Sequence, residues 1–227
     1  MLAAFETQPK TGTPISPAAA RSGRCLDPHP PRSHPEALIL FGASAGGPTA
    51  LAEVLGHLPS DFPAAIILIQ HIGPHFAFPF ANWLDCQSHL RIRLARPDDC
   101  PRHGVALVAG RNAHLVFTNP RRLAYVPEPH DSAYCPSIDV LFQSAARFWN
   151  GNIIGVLLTG IGRDGAEGLR RLRTAGHHTI AQDATSSAIY GMPKAAAELD
   201  AAAEILPIKQ IAPRLIELVA HTTQLHA

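Results

Sequence analysis

The sequence predicts an α/β fold in which helices cover both faces of a parallel sheet. Near-continuous apolar runs alternate with helix-like segments towards both ends of the globular part of the chain. Such runs are typical of strands buried on both faces, and intervening helices are typical of the connections between parallel strands. From residue 91 to about residue 127, short strands follow one another without a helix between them. This part of the chain predicts an antiparallel insertion or edge extension in the middle of the fold.

The elements are predicted in chain order from their local patterns, in which apolar runs indicate strands and longer helix-like segments indicate helices. The predicted strands are Ala37–Phe41, Ala64–Gln70, Arg91–Ala95, Val105–Ala109, His114–Phe117, Arg122–Val126, Ile153–Leu158 and Thr179–Gln182. The predicted helices are Pro48–His57, His75–Gln87, Ser137–Trp149, Ala166–Ala175, Pro193–Leu199 and Gln210–His221.

Composition excludes several classes of function. The chain has 227 residues, of which 46% are apolar and 16% are charged, so a substantial core is available. The net charge of +1 and the scattered Lys and Arg residues predict no binding of nucleic acid or of an anionic membrane surface. The apolar runs are too short to span a bilayer, so no membrane insertion is predicted. The N-terminus has no basic stretch followed by an apolar one, so it does not resemble a secretory signal.

Residues 1–35 are rich in Pro, Ala, Ser and Arg and show no apolar periodicity. They predict a disordered or linker-like tail, followed by one folded domain over residues 36–227. The cysteines, which are Cys25, Cys86, Cys100 and Cys135, show no metal-binding spacing. We interpret them as reduced thiols of a cytoplasmic protein.

The first candidate site residue is Ser44, at the end of the first predicted strand. Together with Gly42 and Gly46 it forms G-x-S-x-G, the pattern of a serine nucleophile on a sharp turn from strand to helix. The helix that begins near Gly47 would direct free backbone N–H groups and the positive end of its dipole towards an oxyanion at the serine. The alternative is an ordinary tight connection or a phosphate-binding loop, because a glycine-rich turn of this type serves those roles more often.

The second candidate is His71, which follows the predicted strand Ala64–Gln70. Ligands of open parallel sheets bind at the carboxyl ends of strands, and Ser44 lies at such an end one βα unit earlier. The two residues are therefore expected to be neighbours. Taken alone, a histidine here is more often a surface residue or a loop residue with its hydrogen bonds satisfied.

The third candidate is Asp164, in the loop that follows the strand Ile153–Leu158. A carboxylate at this position could accept the N–H of a histidine, fix its tautomer and stabilise its protonated form. The structural alternative is that Asp164 caps the helix Ala166–Ala175, which a carboxylate at a helix start also does well.

The same loop allows a rival interpretation. Gly160, Gly162 and Gly165 match G-x-G-x-x-G, and Asp183 follows at the end of another strand, as in a dinucleotide-binding fingerprint. Asp164 would then lie inside the phosphate loop and repel a pyrophosphate, and too few residues follow for the usual sheet. A dinucleotide-binding enzyme therefore stays a remote alternative.

Ser44, His71 and Asp164 each follow an apolar strand of one predicted sheet, and together they predict a catalytic triad more strongly than any one of them does. With its flanking motifs, the chain resembles the catalytic domain of the bacterial chemotaxis protein-glutamate methylesterases, the CheB family. The resemblance extends from about Ala37 to Ile216. Its motifs are Gly42-Ala-Ser-Ala-Gly-Gly47, Gln70-His71, Pro136-Ser-Ile-Asp-Val-Leu-Phe142, Leu158-Thr-Gly-Ile-Gly-Arg-Asp-Gly165 and Tyr190-Gly-Met-Pro193.

The resemblance implies a doubly wound sheet and hydrolysis of glutamyl methyl esters on chemoreceptor cytoplasmic domains, with release of methanol. It also implies glutamine deamidation in some members, no metal and no cofactor. It assigns the triad to Ser44, His71 and Asp164. We expect the oxyanion to be held by backbone N–H groups at Ala45 and in the loop Gly160, Ile161 and Gly162.

Typical members of the family also carry a receiver domain, for which residues 1–35 are too few. We therefore expect any regulation to come from a partner in trans, from expression level or from the tail. The alternative function from another class is a receptor-binding module of the same fold that is catalytically silent or depends on a partner.

Overall fold

A seven-stranded parallel sheet forms the centre of the computed structural model, which describes residues 37–130 and 132–224. The strands are β1 (Ala37–Ala43), β2 (Ala65–Gln70), β3 (Arg91–Leu94), β4 (Val105–Val108), β5 (His114–Asn119), β6 (Arg122–Val126), β7 (Asn152–Leu157), β8 (His178–Gln182) and β9 (Glu204–Leu206). The helices are α1 (Gly47–Gly56), α2 (Pro74–Cys86), α3 (Ile138–Phe148), α4 (Ala166–Thr174), α5 (Met192–Glu198) and α6 (Ile208–Gln224).

The order of strands in the sheet is β3-β4-β2-β1-β7-β8-β9, so the chain builds outwards from β1 in one direction and then in the other. Such a reversal is the topological switch point of a doubly wound sheet, and ligands bind beside it at the carboxyl ends of the strands. The predicted doubly wound α/β fold is confirmed. The switch point lies between β1 and β7, the strands that precede the candidate residues Ser44 and Asp164.

Both faces of the sheet are covered, and β1 shows why its residues form a central strand. All seven of its residues are buried, and successive side chains alternate between two separate apolar cores. Ile39 and Phe41 pack in the core shared with α1, α2 and α6. Leu38 and Leu40 pack in the core shared with α3, α4, α5 and the β5–β6 hairpin.

The predicted antiparallel middle is only partly right. β5 and β6 do form an antiparallel hairpin, but β3 and β4 are parallel strands that extend the main sheet. The short edge strand β9 was not predicted, because its three residues are at most half-buried and form no apolar run.

The predicted tail, residues 1–35, lies outside the described residues, and the domain boundary at residue 36 stays a prediction. None of the helices in the described ranges combines the length and the apolar character that crossing a membrane requires.

Candidate active site

The ends of β1, β2 and β7 bring the loops of the candidate residues together. In the register of the sheet Ala43 pairs with Gln70, so the next residues, Ser44 and His71, leave adjacent strands side by side. The parallel hydrogen-bond ladders continue one residue beyond the strands. The N–H of His71 donates to the carbonyl of Ala43 (2.9 Å), and the N–H of Ser44 donates to the carbonyl of Thr159 in the loop after β7 (3.0 Å). The backbone therefore fixes Ser44 between the other two loops.

A buried glutamine joins the serine and histidine loops. Gln70 Nε2 donates to the carbonyl oxygens of Ser44 (2.8 Å) and His71 (3.1 Å). A side chain at position 47 would collide with the Gln70 amide, so Gly47 is needed for this close approach. Gly46, with φ of +78°, turns the chain into α1. Sequence reasoning included Gln70 in a motif but assigned it no role.

His71 and Asp164 form a direct hydrogen bond, from His71 Nε2 to Asp164 Oδ2 at 2.8 Å. Because a carboxylate only accepts, Nε2 is assigned the proton and Nδ1 carries the lone pair of the neutral ring. Nδ1 is buried and has no hydrogen-bond partner among the described residues. Ser44 Oγ likewise makes no hydrogen bond within residues 37–130 and 132–224, so a Ser44–His71 bond is not formed in this structure. Two atoms at the ends of adjacent strands thus have no hydrogen bond among the described residues. They are the hydroxyl oxygen of Ser44 and His71 Nδ1, which can accept a proton.

Asp164 lies at the N-terminus of α3, where its carboxylate receives four hydrogen bonds. Oδ2 accepts from His71 and from the N–H of Ile138 (2.7 Å), and Oδ1 accepts from Ser137 Oγ (2.8 Å) and the N–H of Asp139 (3.1 Å). Burial alone would raise the pKa of Asp164, but the hydrogen bonds from His71, the two amides and Ser137 outweigh it, and the pKa is lowered. The carboxylate is therefore ionised next to the imidazole.

The capping alternative for Asp164 was wrong about which helix is capped. The N-cap of α4 is Gly165, with no side-chain cap, whereas Asp164 binds the first amides of α3. The sequence suggested α4 because α4 follows Asp164 directly in the chain. Nothing in the sequence shows that the N-terminus of α3 faces this loop. Capping and the contact with His71 are both made by the same carboxylate.

The backbone amides expected to hold an oxyanion are only partly available. The N–H of Gly160 donates to the carbonyl of Ile189 (3.0 Å), so this group is already used and the expectation for it is corrected. The N–H groups of Ala45, Ile161 and Gly162 have no acceptor in the described parts of the chain. They remain available to an incoming oxygen.

Residues 39–215 match a sequence model of one family, described as CheB methylesterase. The chain belongs to the CheB methylesterase family. It is 53% identical over 199 residues to a protein-glutamate methylesterase/protein-glutamine glutaminase of Cupriavidus metallidurans, covering 86% of this chain and 59% of the relative. The similar protein of Pseudomonas syringae is 54% identical over 191 residues, covering 83% of this chain and 57% of the relative. The chain thus spans less than two thirds of these relatives.

A solved structure supports the same fold. The crystal structure of the Thermotoga maritima CheB methylesterase catalytic domain superimposes with a TM-score of 0.76 at 31% identity, covering 80% of this chain and 97% of that one. The family assignment disfavours the dinucleotide alternative, and so does the geometry. Asp183 accepts hydrogen bonds from the N–H (3.0 Å) and the hydroxyl (2.5 Å) of Ser186, as in a local turn. Among the described residues, no group of three or more His, Cys, Asp or Glu residues could hold a metal ion.

An aromatic ring covers His71. Tyr134 stacks on the imidazole with ring centroids 4.3 Å apart and planes inclined by 2°. Its hydroxyl lies where a side chain at Gly162 would be, 2.5 Å from the Cβ position, so Tyr134 spans from His71 to the loop after β7. Tyr125 contacts backbone instead: its hydroxyl accepts from the N–H of Gly110 at 3.0 Å.

His114 was not among the candidate residues, because it does not follow a strand next to Ser44. His114 is buried, and both ring nitrogens are used: Nδ1 accepts from the N–H of Ser137 (3.1 Å) and Nε2 donates to the carbonyl of Pro129 (3.1 Å). Ser137 in turn donates its hydroxyl to Asp164, so His114 helps to hold Ser137 in place beside Asp164. No spacing signal could have revealed this contact, because β5 lies outside the main sheet.

We expect His114→Ala to lower the free energy of unfolding by about 2 kcal/mol or more, because the buried N–H of Ser137 loses its acceptor and a cavity forms. Urea unfolding followed by circular dichroism measures this. The matched control is His89→Ala, an exposed histidine, which should change stability by less than about 0.5 kcal/mol. Equal stabilities for the two variants would contradict the supporting role.

Proposed function

We propose that this chain is a serine hydrolase that removes methyl esters from glutamyl side chains of chemoreceptor cytoplasmic domains and releases methanol. The observation that carries the proposal is the 2.8 Å bond between His71 Nε2 and Asp164, which leaves a buried lone pair on Nδ1 beside the strand end of Ser44. Family membership supports the ester chemistry. Relatives named as glutaminases support deamidation of glutamine at the same site. Methylated receptor domains as partners, the cytoplasm as the location and a regulator in trans are parts of this proposal.

The first half of the reaction forms an acyl-enzyme. Ser44 Oγ rotates towards His71, attacks the ester carbonyl carbon and passes its proton to Nδ1. The Nε2 proton stays in its bond to Asp164, whose charge stabilises the imidazolium. The N–H groups of Ala45, Ile161 and Gly162 donate to the oxyanion, and each such donor is worth about 3 kcal/mol of barrier.

The second half regenerates the serine. The tetrahedral intermediate collapses, the C–O bond to methoxide breaks, and methoxide takes the proton from Nδ1 and leaves as methanol. Water then gives a proton to Nδ1 and attacks the acyl carbon. The ester to Ser44 breaks, the proton returns to Oγ, and a free glutamate side chain remains. With a glutamine substrate, the leaving group is ammonia instead of methanol.

The test is methanol release from a chemoreceptor cytoplasmic fragment methylated at its glutamates, with the unmethylated fragment as the control. We expect methanol only from the methylated fragment. If the folded chain releases no methanol and a fluorophosphonate does not label Ser44, the hydrolase proposal fails. Binding of the fragment under those conditions would favour the catalytically silent receptor-binding module instead.

We expect Gly160→Ala to lower turnover at least about tenfold, because a Cβ at this position would come within 2.7 Å of Ser44 Cβ. It would also collide with Met192 Sδ, but that flexible side chain can move, whereas Ser44 is fixed by its backbone bonds. The matched control is Gly73→Ala, whose Cβ meets only Phe76 at 3.6 Å and whose φ of −60° suits alanine. Turnover by both variants at the wild-type rate would contradict the tight packing behind Ser44.

A further inference from the structure

The helices α3 and α4 begin against each other and exchange carboxylates. Asp164, just before α4, binds the first amides of α3. In the opposite direction Asp139, in the first turn of α3, accepts the N–H of Gly168 in the first turn of α4 at 2.5 Å. Asp164, which precedes α4, thus binds the start of α3, and Asp139, which lies in α3, binds the start of α4.

The exchange requires close contact between the helices. A side chain at Gly168 would come within 2.7 Å of Phe142 Cβ and 3.0 Å of Asp139 Cα. The backbone of α4 therefore lies directly on α3, and the Asp139 carboxylate accepts the Gly168 amide of α4 directly. Asp139 also donates its own N–H to Asp164 Oδ1. Asp164 cannot move away from His71 without disturbing this junction.

The surroundings of Asp139 disfavour its ionised form. Burial, Asp164 and Glu167 raise the pKa of Asp139 to about 6, against the opposing effect of the amides of Gly168 and Gly165. The protonated form is thus favoured by folding. The stability that protonated Asp139 contributes is fully present below its ordinary pKa of 3.8 and is lost as the pH rises through about 6. Holding an ionised carboxylate here near neutral pH costs stability, while the contacts with α4 fix the loop of Asp164.

We propose that Asp139 is a positioning residue for the His71–Asp164 pair. It acts through Asp164: its side chain fastens the start of α4, and its N–H fixes Asp164 Oδ1, so that Oδ2 stays directed at His71 Nε2. The catalytic consequence rests on the proposed hydrolase function, but the consequence for the hydrogen bond does not. Sequence reasoning placed Asp139 in a motif without a role.

The test compares the full chain with Asp139→Ala and Asp139→Asn, and reads the hydrogen bond itself by NMR of ¹⁵N-histidine-labelled protein. The Nε2–H signal of His71 is assigned by its absence in His71→Gln. Alanine removes the acceptor of the Gly168 amide of α4, and we expect the Nε2–H to exchange with solvent at least about tenfold faster. Asparagine keeps one neutral acceptor oxygen, and we expect an increase of about two- to fivefold. Wild-type exchange in both variants would overturn the proposal.

The matched control is Glu167→Ala, which removes an acid from the same turn of α4 that pairs with Arg170 instead of the helix amides. It should leave the Nε2–H exchange unchanged. If Asp139→Ala does not fold, Asp139→Asn decides: an exchange rate equal to the wild-type rate would overturn the proposal. A second signature is stability, since Asp139→Asn should become more stable relative to wild type as the pH rises from about 4 to about 7.

The rate at which a fluorophosphonate labels Ser44 tests whether Asp139 affects the reactivity of the site. We expect labelling to slow about tenfold in Asp139→Ala and to remain at the wild-type rate in Glu167→Ala. If the wild-type chain is neither labelled nor active, the hydrolase proposal fails while the NMR comparison still decides the role of Asp139. If the wild-type chain is labelled and Asp139→Ala is labelled equally fast, the positioning role is overturned.

Discussion

Replacing Ser44 with alanine is expected to lower turnover by at least about a thousandfold, because no other hydroxyl in the described site takes the place of the nucleophile. The stability should change little, since Ser44 Oγ makes no hydrogen bond among the described residues. Methanol release and urea unfolding, measured on the same preparations, separate the two effects. The control is Ser60→Ala, an exposed serine, which should behave as the wild-type chain does.

The double variant sharpens this test. Residues that act as one unit lose activity non-additively, so Ser44→Ala with His71→Ala should be about as inactive as Ser44→Ala alone. If the two losses multiplied, Ser44 and His71 would be acting independently. If Ser44→Ala kept turnover within a few-fold of wild type, the serine mechanism itself would be wrong.

The sequence predicted those features of the site that depend on strand ends. Ser44, His71 and Asp164 each follow an apolar run, and parallel strands bring their carboxyl ends to one edge, so the three patterns taken together selected them as candidates. The pairing of β3 with β4 could not be predicted in this way. Both are short, no helix separates them, and local pattern does not specify which strand a segment pairs with.

The contacts behind the site were beyond sequence reasoning for a related reason. Asp139 and His114 act through the N-terminus of α3, and nothing in their spacing shows that this helix start faces the loop after β7. Gly160 illustrates the opposite error. Its place in the loop favoured an oxyanion role, but the strand-like pairing of the loop with Ile189 uses its amide. Long-range packing decides such details, whereas residue type and local pattern predict the nucleophile, base and acid.

Asp164→Asn is expected to lower turnover by about a thousandfold, since in the proposed mechanism the ionised carboxylate both orients and stabilises the base. The two carboxylate oxygens accept from Ser137, Ile138, Asp139 and His71, all of which are donors. An amide has only one acceptor oxygen, so its NH₂ group must face one pair of these donors. In either orientation, a backbone N–H of α3 loses its acceptor and the negative charge beside the imidazole is gone.

The orientation with NH₂ at the Oδ2 position also reverses the histidine. Nε2 must then accept, the ring proton moves to Nδ1, and the lone pair that would take the proton of Ser44 is lost. ¹⁵N NMR of the histidine ring detects this change of tautomer. The control is Asp183→Asn, which weakens a carboxylate contact with Ser186 at the end of the neighbouring strand but should leave turnover within a few-fold of wild type.

The hydrogen bonds of Asp164 also lead to a prediction about stability. Asp164→Ala leaves Ser137 Oγ and the amides of Ile138 and Asp139 without their acceptor, at about 1–3 kcal/mol each, so the free energy of unfolding should fall by about 3 kcal/mol or more near neutral pH. The pKa of Asp164 is lowered in the fold, so its contribution is present above the ordinary value of 3.8 and is lost as the pH falls through the folded value. The stability difference between wild type and Asp164→Ala should therefore shrink in acid. A difference that stayed constant down to about pH 2 would mean that the ionised carboxylate does not stabilise this junction.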